Sequence, residues 1–310
     1  MPPSPPSAPV LKALRHKAEH GLAGSVDART VAEGTGWRVE DVVCCSGPRD
    51  RAFEERHDQV SVAVVLSGTF TYRNDFGSVL LTPGSLLLGD AGTCFTCGHQ
   101  HSEGDRCLSF HFDPAFFEQL AVDAGARAPR FGRNSVPAVR ALAPLVARAI
   151  IAADGATPTA ARESAPRAQA LITPAFDELA LDLAAGALLQ GDNIKHRPLS
   201  TRDERRVAPV IRHLESHYNQ PWGLTDLAGM ADLSPFHFLR VFRATAGQTP
   251  HQYVLRARLR AAAVTLATTQ TPVTEVALAS GFEDLSNFIR TFRAEFGVSP
   301  SSYRASGSTV

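Results

Sequence analysis

The sequence predicts an α+β chain in two unlike parts. A β-barrel or sandwich with attached helices comes first, followed by an all-α domain in which a long helix joins two helix-turn-helix units. Three observations carry this. Residues 37–112 are rich in Val, Thr, Phe and Tyr and are broken by Gly and Pro turns. Beyond residue 200 only helical spacing remains. The last third repeats itself at an offset of about fifty residues. A length of 310 suits two domains, and 44% apolar residues are enough to bury their cores.

Taken in order, the start MPPSPPSAP reads as an extended, disordered leader over residues 1–15, with no apolar run of a secretory signal. No stretch is apolar for long enough to span a membrane, so no membrane partner is expected. Five cysteines, an odd number in a large chain, fit a reduced cytoplasm better than a disulfide framework. The first domain is expected over 16–190. In it, SVAVVLSGTFTYRN (61–74) breaks at Ser67-Gly68, and turns are expected at Pro83-Gly84 and Gly89-Asp90. CLSFHF (107–112) is a further strand, closed by Asp113-Pro114.

Residues 114–121 and 137–152 then read as helices, and 152–168 as a loop. Residues 169–190 read as an amphipathic helix with Leu171, Ile172, Phe176, Leu179, Leu183 and Leu188 in its stripe. That stripe can cover its own barrel or a second subunit. GDNIKHRPLS opens a linker over 191–201, and a helical domain over 202–305 follows. Thr201 to Glu204 has capping-box spacing.

The repeat pairs LTDLAGMADLSPFHFLRVFRATAGQTPHQYV (224–254) with VTEVALASGFEDLSNFIRTFRAEFGVSPSSYR (273–304). Leu227 matches Val276, Phe238 matches Phe288, Arg240 matches Arg290, Phe242 matches Phe292 and Arg243 matches Arg293. Each copy reads as a helix-turn-helix, at 224–245 and 273–295. Thr225 is expected to cap the first helix, and Ser234-Pro235 and Asp284 to start the second helices. The tight turn holds Asp232 in one copy and Gly281 in the other, two residue types that tolerate a left-handed backbone. Thr249-Pro250 starts the joining helix, which packs through Leu255, Leu259, Ala262, Ala263 and Leu266.

In the second helices the phenylalanines form the core face. The opposite face offers Ser234, Phe236, His237, Leu239, Arg240 and Arg243 in one copy and Ser286, Asn287, Ile289, Arg290 and Arg293 in the other. A mid-helix arginine can bind a guanine edge twice in the major groove, and Ser, Asn and His can reach bases or phosphates. The alternative for these arginines is a solvated or salt-bridged helix face.

On these residues, and above all ALASGFEDLSNFIRTFRAEFGVSPSSYR (277–304), the last third resembles the DNA-binding domain of the AraC/XylS family of bacterial transcription regulators. The resemblance implies seven helices, with two recognition helices entering adjacent major-groove faces about 10 bp apart. It implies a sequence-specific regulator rather than an enzyme. Promoter double-stranded DNA, a second copy of the chain and RNA polymerase are its implied partners. Phe236 and Leu239 stand where polar readers are common in the family, so this unit is expected to read thymine methyls or DNA shape.

The resemblance also implies a cupin-like N-terminal barrel that senses a small-molecule effector and supports dimerisation. No cofactor is implied. A separate feature is CFTCGHQHSEGDRC (94–107), where Cys94, Cys97, His99, His101 and Cys107 have the ligand types for zinc or a soft metal. Cys94 and Cys97 could equally form a redox pair, giving a metal- or redox-sensing regulator, or a cupin-type metal enzyme fused to a DNA-binding domain. They are also explained as small buried hydrophobes pointing to opposite strand faces. Cys44-Cys45 reads as structural.

The formal net charge is zero, from 31 basic and 31 acidic residues. Taken alone this argues against nucleic acid. Split by domain, residues 202–310 carry 12 Arg against nine acids, so the helical part is net positive and the rest net negative. Non-specific electrostatic binding should therefore be weak.

Overall fold

The computed structural model describes residues 7–100, 102–156, 166–190 and 200–307. Two antiparallel sheets face each other in the N-terminal part. The larger runs in the order β1 (Val26–Gly34), β2 (Trp37–Cys44), β9 (Asp105–Phe112), β4 (Val60–Gly68), β7 (Leu86–Gly89), β10 (Ser135–Val136). The smaller runs β3 (Phe53–Arg56), β8 (Cys94–Gly98), β5 (Phe70–Asn74), β6 (Gly77–Leu81). The breaks expected at Ser67-Gly68, Pro83-Gly84 and Gly89-Asp90 fall at strand ends.

Side-chain alternation divides the larger sheet into two faces. On β9, Leu108, Phe110 and Phe112 join a core under the helices, while Cys107, Ser109 and His111 line the space between the sheets. That core is closed by α2 (Pro114–Asp123), α3 (Ala143–Ala156) and α4 (Pro166–Leu189) through Phe117, Val146, Phe176, Leu179 and Leu183. The described part of the 169–190 stripe therefore seats on its own barrel. Each such side chain, fully buried, contributes about 1.5–3 kcal/mol. Arg106 is only 2% exposed and pins this layer: Nε and Nη2 donate to Asp41 at 2.8 and 3.1 Å, and Nη1 donates to Asp154 at 2.9 Å.

The start of the chain departs from expectation. Residues 8–15, read as disordered leader, belong to α1 (Ala8–His20). Pro9 sits in the first turn, where its missing N–H costs nothing. Val10 is buried, and Lys17 Nζ bonds Asp50 Oδ2 at 2.5 Å and Cys45 O at 3.0 Å. The strand region also begins earlier than residue 37. β1 is a largely exposed edge strand, so its sequence lacks an apolar alternation to read. The loop expected over 152–168 is helical through Ala156 and again from Pro166; 157–165 and the linker residues 191–199 lie outside the described residues.

The C-terminal part has seven helices among the described residues: α5 (Thr201–Ser216), α6 (Leu224–Met230), α7 (Pro235–Ala246), α8 (Pro250–Thr268), α9 (Val273–Ala279), α10 (Leu285–Phe296) and α11 (Pro300–Gly307). Ser200, not Thr201, caps α5 by accepting from Asp203 N. Glu204 instead turns inward and bonds the Thr71 hydroxyl of β5. α6 starts from Gly223 without a side-chain cap, so Thr225 does not cap it. α8 carries a full capping box from Thr249 and Gln252. The two parts touch: Leu80 joins the core of the first unit and Ala147 that of the second, and Arg260 donates to Pro83 O at 3.2 Å and to both oxygens of Glu215 at 2.8 Å.

Candidate nucleic-acid interface and barrel cavity

Each second helix of the repeat is held by its aromatic face. Phe238 and Phe242 are fully buried with their rings 5.4 Å apart, and Phe288 and Phe292 likewise at 5.6 Å. Burying those faces leaves a defined outer side. The caps fix where each helix begins: Ser234 Oγ accepts from His237 N at 3.4 Å, and Asp284 accepts from Ser286 N and Asn287 N at 2.9 and 3.2 Å. The turns before them have positive φ, 51° at Asp232 and 87° at Gly281. Asp232 is the only non-glycine residue with positive φ among the described residues.

On α7, Ser234, Phe236, Arg240 and Arg243 are exposed, and His237 and Leu239 are half-buried. Phe236 is 81% exposed, an aromatic ring that the fold does not cover. On α10, Ser286, Asn287, Ile289, Arg290 and Arg293 are all exposed. Arg290 Nη2 donates to Asn287 Oδ1 at 3.0 Å, which holds the two side chains in one polar patch. No ion pair of Arg240, Arg243, Arg290 or Arg293 is found among the described residues, unlike Arg256 and Arg260, which pair with Glu295 and Glu215. The four arginines are therefore exposed without ion pairs among the described residues, as a solvated helix face or a DNA-facing one would have them.

Between the sheets lies a cavity of about 280 Å³. His57 dominates one wall. Its Nε2 lies 2.8 Å from Tyr72 Oη, its Nδ1 3.0 Å from Ser61 Oγ, and Phe95 stacks on it at 4.2 Å. Burial, with His111 adding to it, pulls its pKa down to about 4, so the ring is neutral at pH 7. His111 Nε2 is 3.2 Å from Glu40 Oε2 but is misaligned for a hydrogen bond.

The Cys/His segment is only partly assembled as expected. Cys94 is exposed and Cys97 buried, on opposite faces of β8, so they do not form a pair. His101 lies outside the described residues. Cys97, His99 and Cys107 do converge on the cavity, but their nearest partners are Cys44 and Asp105, which the linear reading left out. Cys44 and Asp105 are directly opposed across the β2–β9 ladder, a relation that strand register alone reveals. Burial pushes the Cys97 and Cys107 thiols well up from their ordinary range, which makes them poor redox nucleophiles. His99 is pushed up to about 10: burial opposes its charge, but the hydrogen bond to Asp105 and the nearby Cys44 outweigh burial.

A cavity-bearing barrel joined to a duplicated helix-turn-helix domain with outward arginines defines a two-domain DNA-binding regulator. Comparison with known proteins agrees. The profile of the AraC-like ligand binding domain matches residues 46–172, and that of a helix-turn-helix domain matches 227–306. The transcriptional activator NphR of Rhodococcus sp is 31% identical over 254 residues, 78% of this chain and 69% of its own length. The probable transcriptional regulator LumQ of Photobacterium leiognathi is 34% identical over 113 residues, which span 35% of this chain but only 46% of LumQ. The solved DNA-binding domain of AdpA, in complex with a target DNA, is 31% identical, covering 34% of this chain and 94% of that one, with a TM-score of 0.33. The chain belongs to the AraC/XylS family of transcription regulators, and no helix among its described residues is long and apolar enough to cross a membrane.

Proposed function

We propose that residues 202–305 bind promoter DNA by placing α7 and α10 in successive major-groove faces. Arg240 and Arg290 read base edges, Arg243 and Arg293 contact phosphates, and Ser234, His237, Ser286 and Asn287 supply further polar contacts. Phe236, Leu239 and Ile289 meet thymine methyls. The observation that carries this reading is the repeated pair of phenylalanine-anchored helices whose outward arginines have no carboxylate partner among the described residues. A small effector occupies the barrel cavity, whose neutral His57 and ion-paired Arg38 and Glu40 suit a compact polar molecule. The signal passes through the direct contacts of the β6–β7 turn with α8 and of β5 with α5. The protein works in the cytoplasm as a homodimer on repeated half-sites, contacts RNA polymerase and performs no catalysis.

Selection of binding sequences from random DNA, followed by gel shift over a salt series, tests the reading. A recurrent motif bound with affinity that falls as salt rises is expected. Binding without sequence preference, or none at all, refutes it.

A further inference from the structure

Five donor side chains meet where the ends of β2, β8 and β9 come together. Cys44, His99 and Asp105 are each buried, and they offer a sulfur, a nitrogen and an oxygen that all lie within 4.8 Å of one another. His99 Nε2 and Asp105 Oδ1 are 2.6 Å apart, with side-chain exposures of 1% and 6%. The Cys44 thiol lies beside the same imidazole. Cys107 Sγ lies 3.5 Å from Asp105 Oδ2, and the Cys97 thiol is buried beside them. Over this end of the barrel lies α1, with Val10 packed against the Gly104 backbone next to Asp105.

We propose that Cys44, His99, Asp105 and Cys107 bind a single divalent ion of the zinc class. Thiolate, imidazole and carboxylate are the donors such an ion takes, in tetrahedral number. Bonding distances of roughly 2.0–2.3 Å require the His99–Asp105 hydrogen bond to open so that both atoms face the ion. The ion displaces the protons of the two thiols and of His99, and these leave to solvent. The ion ties the C-terminal end of β2 to the β8–β9 connection beneath α1. It leaves Cys94, on the outer face of β8, unused. This site shares the lining of the cavity proposed for the effector and is independent of the DNA-binding reading.

The full chain, purified under reducing conditions and supplied with zinc, should hold about one equivalent by elemental analysis. Cobalt(II) in its place should give intense tetrahedral d–d bands and a thiolate-to-cobalt charge-transfer band. Cys44→Ser and His99→Gln should each weaken zinc at least about tenfold against a competing chelator, and Cys94→Ser should leave it unchanged. Should either variant fail to fold by circular dichroism, the cobalt spectrum of the unaltered chain decides alone. Substoichiometric zinc with no thiolate band overturns the proposal. So does loss of metal in Cys94→Ser with retention in folded Cys44→Ser.

Discussion

Replacing Gly281 with alanine tests how the second helix-turn-helix unit is set. Gly281 has φ +87°, and a Cβ there would lie 2.5 Å from the Asn219 carbonyl oxygen, 2.7 Å from its Cα and 2.8 Å from its carbonyl carbon. These are backbone atoms and cannot rotate away. The loop that holds them is fastened, because Arg258 donates to the carbonyls of Tyr218 and Gln220 at 2.6 and 2.8 Å on either side. A left-handed alanine costs roughly 1–2 kcal/mol. Forcing atoms into a packed contact costs about 1–3 kcal/mol more. Gly281→Ala should therefore destabilise the helical domain by about 2–5 kcal/mol and weaken DNA binding, because the turn orients α10 and abuts the loop that precedes α6. The matched position supplies the control. Asp232 has φ 51° and a side chain 98% exposed, so Asp232→Gly relieves strain and loses only a solvated contact with Arg206 at 3.8 Å. Its stability should change by less than about 1 kcal/mol. Urea denaturation followed by circular dichroism, compared at equal slope, measures both. Equal midpoints for Gly281→Ala and the parent would refute the steric account.

Arg240→Ala and Arg290→Ala should each cost about 1–3 kcal/mol on the selected DNA site and relax preference at one base position, read by titration against single-base variants of the site. Uniform loss across all variants would reassign that arginine to phosphate. Arg106→Met should destabilise the barrel by about 3–5 kcal/mol in a denaturation experiment, because buried Asp41 keeps only the longer contact of the exposed Arg29 at 3.4 Å. His57 has a folded pKa of about 4 against 6.5. Between those values the unfolded chain takes up a proton that the folded chain refuses. Stability should therefore fall by about 3 kcal/mol as pH drops from 6.5 to 4. His57→Gln should flatten that part of a stability-against-pH profile, and an unchanged slope would move the titration to another group.

The helical domain was legible in the sequence because its signals are local. Helix caps at Ser234 and Asp284, a left-handed turn at 232 and 281, and phenylalanines one turn apart are all written within a dozen residues of each other, and the repeat shows each signal twice. The outward faces followed directly, since a residue's side of a helix is set by its spacing from the buried Phe238 and Phe288. The edge strand β1 and the opening helix α1 were not legible. One is polar along most of its length, and the other follows a proline-rich run that is compatible with helix only because Pro9 falls in the first turn.

Sequence by itself thus determined the class of protein, the two-part architecture and the outward side chains of α7 and α10, because helical periodicity is a short-range property of the chain. Tertiary structure decided what meets inside the barrel. Cys44 and Asp105 are far apart in the sequence and become neighbours only through the β2–β9 register, while Cys94 and Cys97, three positions apart, are sent to opposite faces by strand alternation. Pairing register is a long-range choice made by the whole sheet, and no local pattern around those cysteines records it.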